Sequence, residues 1–176
     1  MTKLAAEHLC SLYHANYGVQ STSLRYFTVY GPRQRPDMAF HIFCSAALRG
    51  EAINVFGDGR QTRDFTFVAD VVNATRAAAE APEAPGLAFN IGGAARISLL
   101  EAIELIASFA GRPIETIRLP QQDGDVRDTG ADTTRAKALL GFSPSMPFEE
   151  GLRREFEWMA EQPQRKSGTP RRSKQP

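Results

Sequence analysis

Long apolar runs are missing from this sequence: no stretch of its 176 residues approaches the roughly 18–20 uninterrupted apolar residues that a membrane helix requires. Met1-Thr2-Lys3 leads into an amphipathic pattern instead of a signal-peptide apolar region, so a soluble, cytoplasmic chain with no membrane partner is expected. Cysteine is scarce. Cys10 and Cys44 form no CxxC pair, which excludes a disulfide-stapled scaffold and predicts reduced thiols. His8, His14 and His41 make neither HxxxH nor HExxH spacing, and no metal site is expected. Asp123-Gly124-Asp125 opens like a calcium loop but lacks glycine at the sixth position and glutamate at the twelfth, so it reads as a turn. Neither GxGxxG nor GxxxxGK[ST] occurs, and no GxSxG elbow points to a serine hydrolase.

What is present is an ordinary globular composition, 42% hydrophobic, 23% charged and 9% aromatic. The length suits one domain, at roughly 100–200 residues per domain. A net charge of +1 conceals an asymmetry: residues 163–176 carry five cations and no acid, which leaves residues 1–162 with 16 basic against 20 acidic side chains. Rich in Pro, Gln and Ser and without large apolar residues, that tail is expected to be disordered. It reads as a solvated terminus or as a polyanion contact. No aromatic interleaves its charges, so a nucleic-acid partner is not expected.

Apolar side chains at Leu4, Ala5, Leu9, Leu12 and Tyr13 share one helical stripe that Gly18 ends. Residues 23–29 read as a buried strand, followed by the loop 30–36. Asp37 is placed to cap a helix over 38–48, and short strands are expected at 52–56 and 63–67 around the turn Gly57-Asp58-Gly59. A helix from about Asp70 to Ala79, a strand at 87–91 and a helix capped by Ser98 through Ala110 follow. A strand at 114–119, a helix from Asp132 or Thr133 to Leu140 and a last helix over 148–159 complete the pattern. The last helix has its stripe on Phe148, Leu152, Phe156 and Met159. Alternating helices and strands predict the α/β class.

Two arginines sit on loops, where binding residues collect: Arg63 just after the Gly57–Gly59 turn, and Arg127 in Asp123–Arg127. A planar guanidinium matches phosphate oxygens, and two converging would hold a diphosphate. Each could instead pair with a neighbouring acid, Asp64 or Asp128; spacing leaves both readings open.

Several segments resemble one family. Thr2-Lys3-Leu4-Ala5-Ala6-Glu7 resembles the end of the Tyr-x-x-x-Lys segment of extended short-chain dehydrogenase/reductases, and Leu24-Arg25-Tyr26-Phe27-Thr28-Val29-Tyr30-Gly31-Pro32-Arg33-Gln34 their LRYFNVYGPRQ strand and loop. Gly57-Asp58-Gly59-Arg60-Gln61-Thr62-Arg63-Asp64-Phe65 resembles their YGDGxQTRDF motif, Phe89-Asn90-Ile91-Gly92-Gly93 their YNIGGG, and Gly124-Asp125-Val126-Arg127 with Ala131-Asp132 their GDVRxTxAD segment. Five motifs in family order mark a resemblance to NAD-dependent nucleotide-sugar epimerase/dehydratases, near UDP-glucose and UDP-glucuronate 4-epimerases.

The resemblance implies that residues 1–162 are the carboxy-terminal part of a Rossmann-like NAD(P)-binding sheet plus the smaller substrate lobe. The glycine-rich NAD turn, the catalytic Ser/Thr and the catalytic Tyr would precede Met1. In the family, NAD takes a hydride from the sugar, leaving a transient 4-keto sugar, while the lysine binds the nicotinamide ribose and lowers the tyrosine pKa. Lys3 would be that lysine without its tyrosine. The resemblance therefore implies a fragment inactive alone, a non-catalytic nucleotide-sugar binding module or a decayed gene product. Tyr26 and Phe27 would sit at the nicotinamide. Thr28 stands where many members carry a substrate-binding Asn, in the Thr-Val-Tyr-Gly-Pro form of UDP-glucuronate epimerases. Met38, Ala39, Phe40, Val55 and Phe56 would cradle the base of a UDP-sugar, Gln61 the ribose, and Arg63 and Arg127 the diphosphate; Phe27, Val55 and Phe56 could equally be core. Ala69 replaces an Asp of the family and is expected to affect helix capping. The family's dimer bundle implies a homodimer through residues 4–16.

Overall fold

A computed structural model describes residues 1–122, 124 and 126–162. The basic tail 163–176, and Asp123 and Asp125 of the presumed calcium-like turn, lie outside the described residues. In chain order the elements are α1 (Thr2–Tyr17), β1 (Ser23–Tyr26), β2 (Thr28–Tyr30), α2 (Ala39–Arg49), β3 (Ile53–Phe56), β4 (Thr62–Phe67), α3 (Val68–Glu80), β5 (Ala88–Ile91), β6 (Ala95–Ser98), α4 (Leu99–Ala110), β7 (Thr116–Leu119), α5 (Thr134–Leu140) and α6 (Phe148–Glu161). The α/β class holds. No helix among the described residues is long and apolar enough to cross a membrane.

The strand expected at 23–29 is two strands in two sheets. β1 pairs parallel with β5 (Ser23 opposite Ala88), and the Phe27 N–H still donates to the Ile91 carbonyl at 3.0 Å. One residue later the chain leaves that sheet, and β2 pairs parallel with β4 (Thr28 opposite Phe65). Both halves are apolar or aromatic, so periodicity carries no mark of the switch. β6 was not expected; it lies antiparallel to β4 with Arg96 opposite Asp64, giving the order β2-β4-β6. β3 and β7 pair parallel.

Burial follows two clusters. The larger holds Tyr30, Phe40, Phe65, Phe67 and Phe148, with Phe40 and Phe65 ring centroids 4.5 Å apart. The smaller gathers Val71, Phe89, Ile91, Leu140 and Phe142 around β5, α3 and α5. α6 lays its expected stripe of Phe148, Leu152, Phe156 and Met159 on the first cluster and buries Glu155 among them.

Helix starts differ in one respect from expectation. Ser98 caps α4 in a full capping box with Glu101, as its spacing predicts. Asp37 does not cap α2: Met38 is the N-cap residue, Asp37 pairs with Arg35 at 3.1 Å, and Gln34 Oε1 accepts the His41 N–H at 3.0 Å instead. Asp132, not Thr133, serves α5, its Oδ1 accepting the Thr134 N–H at 3.0 Å. At α3 the N-cap Phe67 makes no side-chain cap, and Ala69 is exposed in the first turn. Asp70 is buried and accepts from the Ser145 and Met146 amides, tying the α5–α6 connection to α3.

α1 buries none of its residues. Its stripe exists, but Leu4, Leu9, Leu12 and Tyr13 are each more than half exposed. The helix is held by the Glu7–Arg25 pair, by the Ser21 hydroxyl donating to the Cys10 carbonyl at 3.1 Å, and by the His14 ring against Gly86. Both cysteines are free thiols.

Candidate functional site

The turn between β3 and β4 is shaped by what its glycines permit. Gly59 has φ +73, and a Cβ there would come within 2.8 Å of Leu100, so only glycine fits under α4. Asp58 Oδ1 accepts the Arg60 N–H at 2.9 Å and Gln61 Nε2 donates to the Phe56 carbonyl at 3.0 Å, which folds Gln61 back over the end of β3.

Residues 127–129 run beside the start of β4, where Asp128 forms an isolated parallel bridge with Thr62. The Thr62 N–H donates to the Arg127 carbonyl at 3.0 Å, and the Thr129 N–H to the Thr62 carbonyl at 3.3 Å. The Thr62 hydroxyl donates to Asp128 Oδ1 at 2.5 Å and holds that carboxyl below its ordinary range. Arg63 Nη1 donates to the carbonyls of Thr62 at 2.9 Å and Arg127 at 3.2 Å. Two arginines 64 positions apart therefore share one ladder. Asp64 is not the acid that neutralises them: its two oxygens accept the Gly93 and Ala131 amides. The Arg127 guanidinium instead lies 4.0 Å from Asp58, an acid that spacing did not suggest.

Beside this ladder a notch of about 160 Å³ is lined by Phe56, Gly57, Asp58, Gln61, Gln121 and Arg127. Phe56 and Gln61 also line an adjoining groove of about 520 Å³ with Ala39, Ile42, Phe43 and Leu99. The groove is also lined by Asp37, Arg49, Glu51 and Asn54, so a mixed apolar and polar groove leading to a guanidinium suits a ligand with a flat, polar-edged body and an anionic group.

A profile of the NAD dependent epimerase/dehydratase family matches residues 1–92, just over half of the chain. The chain belongs to that family. It is 40% identical over 160 residues to a Bacillus subtilis protein described as an uncharacterized UDP-glucose epimerase, covering 91% of this chain and 51% of that protein. It is 38% identical to the UDP-glucuronate 4-epimerase of Thermodesulfobacterium geofontis, covering 91% of this chain and 49% of that protein. Among solved structures, it resembles the UDP-glucuronic acid 4-epimerase of Bacillus cereus in complex with UDP-glucuronic acid and NAD. There the identity is 42% and the TM-score 0.85, over 90% of this chain and 51% of that one. The chain spans about half the length of the curated relatives it matches.

Of the candidate residues in this epimerase/dehydratase chain, Ala39, Phe56, Gln61 and Arg127 meet at the notch and groove, with Arg63 bonded to the Arg127 backbone. Phe40 and Val55 are each 1% exposed, so their side chains belong to the core and only their backbone could meet a ligand. Met38 lines a different hollow with Tyr30, Gly31, Arg33 and Arg35. Thr28 is half-buried in β2. Lys3 is exposed in the first turn of α1, and the Tyr26 hydroxyl lies 2.9 Å from Thr75 Oγ1. The Phe27 side chain lies so close to Gly92 that a Cβ there would stand 3.1 Å from it. Asp58 and Gln121 were not among the candidates, and Asp64 was read only as a possible ion-pair partner of a loop arginine. An acid set among the aromatics of β4 was the available sign for Asp64.

Proposed function

We propose that this chain carries the nucleotide-sugar half of an NAD-dependent UDP-sugar epimerase site, with the diphosphate at Arg63 and Arg127 and the base in the groove beside Phe56. The carrying observation is the pairing of Thr62 with Arg127 and Thr129, which sets the two arginine segments side by side. Gln61, held over the Phe56 carbonyl, stands between groove and notch, where a ribose would lie. Relatives solved with UDP-glucuronic acid or UDP-glucose support the substrate class, and the Thr28 segment favours the glucuronate form.

NAD fits the residues present at one end only. Lys3 offers an exposed ammonium for ribose hydroxyls, and Tyr26 and Phe27 lie at and just after the end of β1. The sequence supplies no glycine-rich turn for the pyrophosphate. When bound, NAD supplies the hydride acceptor and donor for the sugar carbon.

Calorimetry with UDP tests the reading. The folded chain should bind UDP, and Arg127→Ala or Arg63→Ala should each weaken binding about tenfold or more, since hydrogen bonds to charged groups contribute roughly 1.5–3 kcal/mol. No heat from a folded sample, or unchanged affinity in both variants, overturns it.

The bare stripe of α1 is the face for a second copy. Leu9 and Leu12 are exposed on it by 54% and 51%, with Tyr13 also more than half exposed, and a cluster of exposed apolar side chains on one helix face favours association. Leu9→Arg with Leu12→Arg should convert a dimer into a monomer in sedimentation velocity. A wild type monomeric at all concentrations ends this part of the reading.

A further inference from the structure

Asp64, which lies between Arg63 and the core residue Phe65 in the sequence of β4, is 3% exposed. Its Oδ1 accepts the Gly93 N–H at 2.6 Å and its Oδ2 the Ala131 N–H at 2.8 Å. Its own N–H donates to Thr129 Oγ1 at 3.2 Å. The two donors belong to different connections: Gly93 lies in the turn from β5 to β6, and Ala131 lies four residues after Arg127. Those connections also touch each other, since a Cβ on Gly92 would come within 2.7 Å of the Ala131 Cβ.

The segment carrying Arg127 has its first attachment at Thr62, through backbone bonds at Arg127 and Thr129. The Arg63 guanidinium adds a bond to the Arg127 carbonyl, so these attachments gather at the amino-terminal end of the segment. A second attachment two residues along β4, at Asp64, holds the other end. The Arg127 side chain does not supply it, because its guanidinium is largely exposed and its approach to Asp58 is 4.0 Å. A carboxylate suits the task because both of its oxygens accept. An amide in its place would turn an NH₂ group toward one of the two N–H donors.

We infer that Asp64 is a positioning residue for the nucleotide site: by clamping the amides of Gly93 and Ala131 it holds the segment 127–131 in register and so fixes Arg127 at the notch. This rests on the proposed nucleotide reading for its ligand, but not for the clamp itself.

The test uses the full chain with Asp64→Asn, hydrogen exchange followed by mass spectrometry, and UDP calorimetry. In the variant the stretch 126–132 should exchange at least tenfold faster while peptides of β2 and α6 keep their protection. UDP affinity should fall about tenfold, as in Arg127→Ala, and the Asp64→Asn, Arg127→Ala double variant should bind no more weakly than either single one. Additive losses would mean that Asp64 acts on the fold at large and would overturn the inference, as would unchanged exchange over 126–132. Should Asp64→Asn fail to fold, Ala131→Pro carries the test. It removes the N–H that Asp64 Oδ2 accepts and should speed exchange in the same stretch; unchanged exchange there also overturns the clamp. If wild type binds no UDP, the nucleotide reading fails, while the exchange measurement still decides the clamp.

Discussion

Glu155→Gln should make the protein more stable above pH 8 and remove most of a stability loss that wild type suffers between about pH 4.5 and pH 8. Glu155 is 0% exposed in the middle of the α6 stripe. Its Oε2 accepts the Gly31 N–H at 2.7 Å, and its Oε1 has no partner among the described residues. Burial pushes the carboxyl up from 4.5 to about 8, and the Gly31 hydrogen bond only tempers the rise. In that window the folded chain keeps a proton that the unfolded chain has released. Stability is therefore fullest below pH 4.5 and falls as pH climbs through 8, by at most about 1.4 kcal/mol per pH unit. Other ionisable groups face the same space: Tyr30 and Cys44, both pushed up by burial first and by the Glu155 charge in addition. Asp70 adds its charge at Tyr30. Neither Tyr30 nor Cys44 ionises near neutrality, so Glu155 dominates the window. Glutamine keeps an acceptor for Gly31 and carries no titrating proton. Melting temperatures at pH 5, 7 and 9 check this: the variant should match wild type at pH 5 and exceed it at pH 9. A parallel pH slope in both proteins would clear Glu155 of the effect.

Phe40→Ala and Phe56→Ala should separate core from ligand surface among the candidate base-binding residues. Phe40 is 1% exposed and stacks in a cluster with Tyr30 at 5.7 Å, Phe65 at 4.5 Å and Phe148 at 5.7 Å between centroids. Truncating a phenylalanine in such a place costs about 3–5 kcal/mol, a large part of the roughly 5–15 kcal/mol that holds a domain folded. The loss should appear in urea unfolding, with UDP affinity of the folded protein unchanged. Phe56 is 37% exposed and lines both the notch and the groove. Its removal should cost roughly 1 kcal/mol or less of stability and weaken UDP binding severalfold. A Phe40→Ala protein that stays folded but loses UDP would place that ring at the ligand instead.

Local signals and long-range pairing divided the legible from the illegible. Ser98 with Glu101 three residues on, and Gly111 behind the last turn, marked both ends of α4, because capping is decided within one turn of helix. Asp37 misled because a competing cap came from Gln34, whose reach to His41 depends on how the loop folds back. β6 offered a single strong strand former, Ile97, and exists because β4 lies beside it. Glu155 was visible in principle, seven residues after Phe148 and four before Met159 on the apolar stripe. Periodicity places a residue on a face but does not say whether that face is fully closed.

The order of helices and strands, and the family to which the motifs point, follow from the amino-acid sequence, since turns, caps and hydrophobic period are properties of neighbouring residues. Only the folded chain decided that Arg63 and Arg127 stand together, because their union runs through a Thr62–Asp128 contact spanning 66 positions. The same holds for the choice between core and ligand at Phe40 and Phe56, and for the bare stripe of α1. Whether an apolar side chain ends against protein or water depends on what packs over it, and that is settled by chain segments distant in sequence.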